Sequence, residues 1–418
     1  MGEKDSETFR RSQLSIVLII PPSPFLGDEK RQPPLGILYV AAYLELQRLK
    51  VEVIDLRTVP ESEWMDRIPV CGRYGITATT PEYPHAVAIA EGLKLRDKMM
   101  DKKCHISLGG VHGTALPRTI ERTLFDTVVI GEGDGTAPLD ERPFPARHLL
   151  PRESFISDKL CEAGESATTV MVSRGCAFDC SFCSSKAMWG RNVRYRSVGN
   201  VISELQMLKS DYGIHQFRFH DDTMTVNKPW IMEFCRCVKP LNIRWRAATR
   251  VDRSSADMLQ AMFDAGCYEL AYGIEDPDQD VLNINNKGIK TKDIYKALAT
   301  AKRIGFKTRL YLMIGLPGQD DNTAKRLIDF IERVEPTVAD LSTFVPFPGS
   351  DVYNNPSKYG ITLKDTPWDD YVFTRGLYGD ELSKDFIYQH DKLTNESLKQ
   401  QRNEILNHIK KRHIELTA

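Results

Sequence analysis

The chemistry and the fold of this chain are concentrated in one stretch, Ser173-Arg174-Gly175-Cys176-Ala177-Phe178-Asp179-Cys180-Ser181-Phe182-Cys183. Its three cysteines have the spacing C-x3-C-x2-C and directly follow a predicted strand, Thr168–Val172. Closely spaced thiolates favour an iron–sulfur cluster or zinc. A structural zinc site takes four protein ligands, usually in two C-x2-C pairs, and no fourth cysteine or histidine follows nearby. Three ligands on a four-iron cluster would leave one iron open to bind and activate a substrate.

The chain downstream of this stretch alternates between predicted strands and amphipathic helices. Six βα units at this spacing predict a partial (β/α)6 barrel of the TIM type over residues 166–350, with catalytic groups at the carboxyl ends of its strands. The predicted strands are Thr168–Val172, Gln216–His220, Ile243–Ala247, Glu269–Gly273, Thr308–Ile314 and Leu341–Val345. Residues 351–418 are predicted to form a short, mainly helical C-terminal region that ends in the helix Glu396–Leu416.

The chain upstream also alternates between strands and helices, which predicts an α/β domain with a Rossmann-like, doubly wound parallel sheet over residues 12–135. In such a sheet, ligands bind beyond the carboxyl ends of the strands. The predicted elements are the strands Ile16–Ile20, Val51–Asp55, Tyr74–Thr77, Cys104–Leu108 and Thr127–Ile130 and the helices Leu35–Gln47 and Tyr83–Met100. Residues 136–165 contain four prolines and are predicted to be a linker between the two domains.

The cysteine spacing, the aromatic Phe182 before the last cysteine and the six-unit barrel together resemble the radical S-adenosylmethionine (SAM) superfamily. This resemblance implies that Cys176, Cys180 and Cys183 are the catalytic ligands of a [4Fe–4S] cluster. It also implies that the open iron is chelated by the amino and carboxylate groups of SAM. Electron transfer from the cluster then cleaves SAM to a 5′-deoxyadenosyl radical.

Further segments at the ends of the barrel strands resemble the SAM site of the same superfamily. Asp221 or Asp222 would receive the SAM amino group, Glu275 lies in a Gly-Ile-Glu segment whose acid contacts SAM, and Gly315 lies in a turn beside the adenine. The alternatives are a solvated helix start, an unrelated helix cap and, for Arg250, a structural ion pair. The SAM contacts implied by the resemblance are Phe182, Asp221, Asp222, Arg250, Glu275, Gly315 and Pro317.

Three N-terminal segments, Pro33–Tyr39, Gly109–His112 and Val129–Asp134, resemble the cobalamin (B12)-binding domain that precedes many radical SAM cores. The chain lacks the D-x-H-x-x-G segment that supplies a histidine to cobalt in other B12 proteins, and after Gly133 it is shorter than the family pattern. Gly131-x-Gly133-x-Gly135 differs from the G-x-G-x-x-G fingerprint, which argues against NAD. The implied cobalamin contacts are Leu35, Gly36, Thr79, Gly109, Gly110, His112, Gly131, Glu132 and Gly133.

The function implied by these resemblances is that of a cobalamin-dependent radical SAM enzyme. In the commonest use of this architecture, the radical abstracts hydrogen from an unactivated carbon, and the substrate radical takes a methyl group from cobalt. An oxidative cyclase or rearrangement enzyme of the same class is the first alternative, and a non-catalytic iron–sulfur sensor protein is an alternative of a different class. The expected partners are an electron donor such as a flavodoxin or ferredoxin and a small or extended substrate.

The composition excludes several other classes of protein. The chain of 418 residues has 56 basic and 57 acidic residues, so its bulk charge does not favour nucleic acid. Its nine cysteines do not suggest a disulfide framework in a chain of this length, and six of them are predicted to be structural. No secretory signal is recognisable, and the first apolar run, Ser15–Ile20, is too short to span a membrane. We therefore expect a cytoplasmic protein.

Overall fold

A computed structural model describes residues 15–161, 165–374, 385–412 and 414 of the chain. The chain divides into two compact units, Met1–Ser157 and Asp158–Ala418, here called unit 1 and unit 2. None of the helices in the described ranges combines the length and apolar character that are needed to cross a bilayer.

Unit 1 is built on a sheet of five parallel strands in the order β2-β1-β3-β4-β5. The residues of β1 from Val17 onward are buried, as a continuous apolar run predicts for a central strand. In this strand order the topological switch point lies between β1 and β3, where open α/β sheets bind their ligands. The strands are β1 (Ser15–Ile20), β2 (Lys50–Asp55), β3 (Arg73–Thr77), β4 (His105–Gly109) and β5 (Thr127–Val128).

The helices of unit 1 connect successive parallel strands. The first helix is apolar on most of its surface, and its buried residues include Leu35, Leu38 and Ala42. The helices are α1 (Leu35–Leu46), α2 (Trp64–Arg67), α3 (Tyr83–Met99) and α4 (Val111–Ala115). The predicted Rossmann-like sheet is therefore confirmed, and the short α2 is an addition that the sequence pattern did not indicate.

The end of unit 1 differs from the predicted pattern. The last strand ends at Val128 instead of Ile130, and the positive φ angle of Gly131 (83°) shows that the backbone turns soon afterwards. Single 3-10 turns follow at Leu139–Glu141, Arg147–Leu149 and Arg152–Ser154. This proline-rich segment packs on unit 1 as far as Ser154, whose carbonyl accepts a hydrogen bond from the buried Arg57 guanidinium (3.0 Å).

Unit 2 contains a sheet of six parallel strands in the order β13-β12-β11-β10-β9-β6, which confirms the predicted partial barrel. A small antiparallel pair, β7 with β8, follows its first strand. The strands are β6 (Ala167–Val170), β7 (Ser173–Arg174), β8 (Arg194–Tyr195), β9 (Gln216–Phe219), β10 (Arg244–Thr249), β11 (Cys267–Glu275), β12 (Lys307–Ile314) and β13 (Val338–Thr343).

Helices pack on the outer face of this sheet. Trp245 of β10 is fully buried, and its ring lies 5.3 Å from that of Phe219 and 5.6 Å from that of Phe234, between centroids. Alternate residues of β10 therefore point toward the helices or into the barrel, because side chains in a strand alternate between faces. The helices of unit 2 are α5 (Ser185–Trp189), α6 (Val198–Tyr212), α7 (Lys228–Val238), α8 (Ala256–Asp264), α9 (Gln279–Ile284), α10 (Thr291–Ile304), α11 (Thr323–Val334), α12 (Asp351–Asn354) and α13 (Asn395–Lys411).

The C-terminal region, which we predicted to be mainly helical, also contains two strands. The strands β14 (Ile361–Leu363) and β15 (Tyr388–His390) form an antiparallel pair. The predicted terminal helix Glu396–Leu416 is observed as α13, which ends at Lys411, and residues 413 and 415–418 lie outside the described residues. The hydroxyl of Tyr388 donates a hydrogen bond to the carbonyl of Gly315 (2.8 Å), so this region packs on the carboxyl end of β12.

The core of unit 1 generates a testable pH dependence. His112 is fully buried and stacks on Tyr83 with ring centroids 4.1 Å apart. Burial lowers the pKa of His112 to about 4 in the folded chain, whereas an unfolded histidine titrates near ~6.5. Below that pH, the unfolded chain binds a proton that the folded chain does not. We therefore expect the free energy of unfolding to fall as the pH drops from ~6.5 to ~4, by about 3 kcal/mol in total.

Replacing His112 by phenylalanine should remove this part of the pH dependence, as measured by urea unfolding of the full chain across that range. The matched control is His105→Gln, at an exposed histidine of the same unit, which should keep the wild-type slope. An unchanged slope in His112→Phe would contradict the assignment.

Candidate functional site

The cysteine loop leaves the barrel directly after β6 and begins with a glycine that no other residue can replace without strain. Gly175 has a φ angle of 100°, and a Cβ atom there would lie 2.4 Å from the carbonyl oxygen of Asn192. The loop therefore passes against the backbone just before β8. This close approach starts the turn that carries Cys176, Cys180 and Cys183.

The three thiols lie near one another and are mostly shielded from solvent. Burial, and after it the charges of Cys180, Asp222 and Cys176, raise the pKa of Cys183 to about 12. Burial also raises the pKa of Cys176. Binding to iron would offset the free-energy cost of ionising these thiols, because metal binding and thiol deprotonation are linked.

Within the described ranges, no group of three or more His, Cys, Asp or Glu side chains converges closely enough to hold a single metal ion. A four-iron cluster does not require such convergence, since each thiolate ligates a different iron.

Residues that follow β11 hold the cysteine loop in place. The backbone N–H of Ser181 donates to the carbonyl of Asn285 (2.9 Å), and the Asn286 side chain donates to the carbonyl of Asp179 (2.8 Å). On the other side, the N–H of Val352 donates to the carbonyl of Ser181 (3.0 Å). The asparagines lie more than 100 residues from the loop in sequence, and the motif itself does not reveal them.

The two aspartates after β9 have different environments. Asp221 is buried and accepts hydrogen bonds from the N–H of Val172 (3.1 Å) and from the N–H and hydroxyl of Ser173 (2.5 and 2.6 Å). Burial raises its pKa to about 6. Asp221 is therefore occupied in bracing the start of the cysteine loop.

Asp222 reaches solvent, and its carboxylate accepts a hydrogen bond from the Ser185 hydroxyl. Desolvation by the surrounding protein raises its pKa, and its charge acts on the thiols of Cys176 and Cys183. Of the two aspartates, Asp222 is the one with room to accept a ligand group.

Glu275 ends β11 in a strained conformation, with a positive φ of 65°. Its Oε1 accepts a hydrogen bond from Lys287 Nζ (2.8 Å), whereas its buried Oε2 has no hydrogen-bond partner among the described residues. Burial alone would lower the pKa of Lys287, but the charges of Glu275 and Cys180 raise it above its usual value. Lys287 also lies 5.6 Å from the ring centroid of Phe182, so it connects Glu275 to the cysteine loop.

Gly273 makes room for this pair. A Cβ atom at Gly273 would lie 2.7 Å from Glu275 Oε1 and 2.9 Å from Lys287 Nζ. A side chain at the first residue of the Gly-Ile-Glu segment would displace the ends of both side chains, and the last residue presents a buried, half-satisfied carboxylate. Lys287 is a site residue that our sequence reasoning missed, because nothing in its local sequence marks it.

Arg250 is fully engaged by protein groups. Its Nε donates to Asp252 (3.0 Å), one Nη donates to the carbonyl of Lys287 (2.8 Å), and its guanidinium carbon lies 3.5 Å from the ring centroid of Phe178. Its other Nη lies 3.9 Å from Cys180 Sγ. This arrangement supports the structural ion pair that the sequence left open, here with Asp252, and it also places Arg250 against the cysteine loop.

The turn after β12 is held by a buried glutamine. Gln319 Oε1 accepts hydrogen bonds from the N–H groups of Gly315 (2.6 Å) and Leu316 (3.0 Å), and its Nε2 donates to Asp276 (2.8 Å). Gly315 has a φ of 94°, and a Cβ there would lie 2.0 Å from the Tyr388 hydroxyl. The carbonyl of Pro317 accepts a hydrogen bond from the Asn285 side chain (2.8 Å), which links this turn to the residues that hold the cysteine loop.

In unit 1, most of the predicted cofactor contacts lie around the carboxyl ends of the strands. Gly36 at the start of α1 and Thr79 after β3 are exposed, while Leu35 is buried. Gly110 has a φ of 94°, and a Cβ there would lie 2.6 Å from the carbonyl oxygen of Ala78. The ends of β3 and β4 are thus in direct backbone contact, and Gly109 and Gly110 remain partly exposed beside them.

The loop after β5 is also partly exposed. Gly131 and Gly133 have φ angles of 83° and 72°, and a Cβ at Gly131 would meet no atom within 4 Å. Glu132 and Asp134 both receive hydrogen bonds from one Nη of the buried Arg142 (2.6 and 2.8 Å). The Glu132 carboxylate therefore fixes the loop. Ile130, which our sequence reasoning placed inside the strand, is 64% exposed at this edge and offers apolar surface.

His112 does not lie on this exposed edge. It is buried against Tyr83, and its Nδ1 lies 3.4 Å from the Thr80 hydroxyl. Its packing supports a structural role in unit 1.

Comparison with known families agrees with both units. The model of the Radical SAM superfamily matches residues 170–331, and the model of the B12 binding domain matches residues 29–139. The first match includes the cysteine loop, both aspartates and Glu275, and the second includes the glycines after β4 and β5.

Similar proteins include several methyltransferases. An uncharacterized methyltransferase of Pyrococcus horikoshii, PH0819, is 29% identical over 81% of this chain and 82% of its own length. The cytidylyl-2-hydroxyethylphosphonate methyltransferase of Streptomyces wedmorensis is 26% identical over 78% of each chain. The structure of the radical S-adenosylmethionine methyltransferase TsrM of Kitasatospora setae, with cobalamin and a [4Fe–4S] cluster bound, has the same fold, with a TM-score of 0.64 and 15% identity over 90% of this chain and 87% of that one. Residues 170–331 therefore form a radical SAM domain and residues 29–139 a B12-binding domain, and the chain is similar over most of its length to methyltransferases.

Proposed function

We propose that this protein is a cobalamin-dependent radical SAM methyltransferase that methylates an unactivated carbon. The observation that carries the proposal is the group of side chains around the cysteine loop. Three shielded thiols lie beside a solvent-accessible carboxylate, Asp222, and beside a buried carboxylate oxygen of Glu275 that has no partner among the described residues. Such an oxygen is costly unless a ligand donates to it.

The residues in this group fit a [4Fe–4S] cluster and SAM. Cys176, Cys180 and Cys183 would hold the cluster, and Asp222 and Glu275 would accept hydrogen bonds from the polar groups of SAM. When bound, the cluster would supply the electron that cleaves SAM reductively, and cobalamin would supply a methyl group. The task of the protein residues is to position these groups and to exclude water.

The exposed edge of unit 1 fits cobalamin. Gly36 and Gly131 leave open backbone there, and Ile130 offers an exposed apolar side chain. A large planar ligand can lie against such open backbone and apolar surface. Because the buried His112 forms part of the core, we propose that it does not ligate cobalt.

Three further points of the proposal rest on the class of enzyme. Methyl transfer is favoured over cyclisation because the two relatives named above are methyltransferases at 29% and 26% identity, whereas the cyclases among the similar proteins match at 23–25% identity. Each methylation would consume two SAM molecules, one giving 5′-deoxyadenosine and methionine and the other S-adenosylhomocysteine. An external reductant such as a flavodoxin or ferredoxin would supply the electrons.

The proposal is tested by product analysis of anaerobically reconstituted protein with dithionite and methyl-labelled SAM. A methyltransferase should form 5′-deoxyadenosine and, only when hydroxocobalamin has been added, S-adenosylhomocysteine. Deoxyadenosine without any cobalamin-dependent S-adenosylhomocysteine would instead indicate the cyclase or rearrangement chemistry of the same class. Neither product from protein with a full cluster would indicate a non-catalytic iron–sulfur protein.

Replacing any one of Cys176, Cys180 and Cys183 by alanine should abolish 5′-deoxyadenosine formation, because a cluster with two protein ligands is not held in place. Iron content and visible absorbance should fall in the same variants. Cys237→Ala on α7 is the matched control and should behave as the wild type. Full activity in any of the three loop variants would rule out the proposed ligand set.

The two aspartates should respond differently to replacement by asparagine. Asp222→Asn should weaken SAM binding by about tenfold through the loss of one charge-assisted hydrogen bond, with little change in thermal stability. Asp221→Asn should lower the free energy of unfolding by about 1–3 kcal/mol, because it removes the charge that strengthens the three hydrogen bonds to Oδ1 and places an amide NH2 group against the N–H of Val172. Equilibrium SAM binding and thermal unfolding distinguish the two effects, and the reverse assignment would contradict our interpretation of Asp221 as the brace.

A further inference from the structure

The interior of the barrel contains an arginine that the chemistry described so far does not use. Arg218 is the third residue of β9, between the outward-facing Phe217 and Phe219. In the sheet it pairs in register with Arg246 of β10. Residues opposite each other on neighbouring parallel strands share a face, and Arg246 faces the barrel interior, where it binds Glu269 (2.8 Å). Arg218 therefore also points into the barrel.

The carboxylates of the barrel interior are already engaged by other arginines. Glu269 accepts hydrogen bonds from Arg246 and from Arg309 Nε (2.8 Å each), and Asp340 accepts one from Arg309 (2.8 Å). Burial by itself would raise the pKa of Glu269, but the charges of Arg309 and Arg246 lower it. Among the described residues, the hydrogen bonds of Glu269 and Asp340 thus go to Arg246 and Arg309 and not to Arg218.

The charge of Arg218 is left without a carboxylate among the described residues. Its side chain makes no hydrogen bond and no ion pair with any residue of the described ranges, although it is half-buried. Burial lowers the pKa of Arg218, and although Tyr311 opposes this effect, the neighbouring charges of Arg246 and Arg309 lower it further. A guanidinium placed among like charges without a carboxylate is unfavourable unless an anion binds it, so this site is suited to an anion.

Two neutral polar side chains, those of His220 and Tyr311, lie near the Arg218 guanidinium and leave it accessible to a ligand. His220 follows β9 directly, is exposed to solvent and lies two residues beyond Arg218, on the same side of the chain. Although part of His220 reaches solvent, desolvation by the protein packed around its ring lowers its pKa, and the charges of Arg218 and Arg246 act in the same direction, so the ring is neutral at pH 7. Tyr311 of β12 is half-buried and lies two residues beyond Arg309, on the same interior face of the barrel. Both can donate hydrogen bonds to an anion without competing for its charge.

We propose that the barrel interior binds a carboxylate or phosphoryl group of the substrate through the guanidinium of Arg218, with His220 and Tyr311 as hydrogen-bonding neighbours. This inference rests on the proposed function, since it gives the chemical class of the substrate of that same site. A planar guanidinium matches either anion through two parallel hydrogen bonds. The substrate would therefore be an acid or a phosphorylated compound.

The experiment titrates anaerobically purified full-length protein with inorganic phosphate, methylphosphonate and acetate in low-chloride buffer, by isothermal calorimetry, with and without saturating SAM. We expect saturable binding to the wild type, about tenfold or more weaker binding to Arg218→Met, and an intermediate affinity for Arg218→Lys. The matched control is Arg236→Met, which removes an exposed positive charge of α7 and should bind as the wild type. Circular dichroism checks the fold of each variant.

The relative affinities identify the anion: tighter binding of phosphate and methylphosphonate assigns a phosphoryl group, and tighter binding of acetate assigns a carboxylate. No saturable binding to the wild type, equal binding to Arg218→Met, or displacement of the probe by SAM would each overturn the proposal, the last because Arg218 would then belong to the SAM site.

Measuring 5′-deoxyadenosine formation in the same preparations distinguishes a failure of the proposed anion site from a failure of the proposed function. Wild-type protein that binds the probe through Arg218 but forms no deoxyadenosine would refute the proposed function alone. Normal deoxyadenosine formation with no effect of Arg218→Met on probe binding would refute the anion site alone.

Discussion

The geometry of the site depends on the hydrogen bonds that the buried carboxylate of Asp221 accepts. It accepts three hydrogen bonds from Val172 and Ser173, immediately before the glycine that starts the cysteine loop. The aspartate follows β9, and the loop follows β6, which is the neighbouring strand of the barrel. A carboxylate in this place joins the ends of two adjacent strands and sets the direction in which the loop leaves the sheet. Burial opposes its ionisation, so the three donors are what make the charge tolerable there.

The rest of the loop is positioned by groups from the far side of the barrel. Three consecutive residues beyond β11 contribute. Asn285 and Asn286 form hydrogen bonds with the cysteine loop, and Lys287 Nζ lies 5.6 Å from the ring centroid of Phe182 in that loop. Asn285 also binds the carbonyl of Pro317 in the turn after β12. Strand ends that are distant in sequence thus converge on one loop, which is how a barrel builds a site at its carboxyl face. Arg250 acts in the same way, because its guanidinium is held by Asp252, Lys287 and Phe178.

Much of the fold could be predicted from the sequence, because buried strands and amphipathic helices have distinct apolar periods. The six barrel strands and the five strands of unit 1 were located within a few residues of their observed positions. The strand after Asp126 was placed two residues too long, since Val129 and Ile130 continue the apolar run although Ile130 is exposed. The β14–β15 pair was missed because three-residue strands carry too little periodicity to be recognised.

Side-chain roles were predicted less completely, and the reason is that partners lie far apart in sequence. Asp221 and Asp222 are adjacent and chemically identical. Only the hydrogen bonds that Asp221 accepts from residues 48 and 49 positions earlier show that Asp221 braces the loop, which leaves Asp222 as the candidate ligand-binding group. The sequence places Glu132 among the predicted cofactor contacts, but it does not reveal the ion pair that Glu132 forms with Arg142.

Local residue order sets the spacing of the thiolates and the alternation of strands and helices, and these properties are enough to indicate a radical SAM domain and a B12-binding domain. Only the tertiary structure decided which charges are satisfied. Arg218, Arg246 and Arg309 are equivalent basic residues in the sequence, but two of them bind the interior carboxylates and the third has no such partner among the described residues. That difference arises from strand register and burial, which bring distant side chains onto one face and leave Arg218 outside those ion pairs.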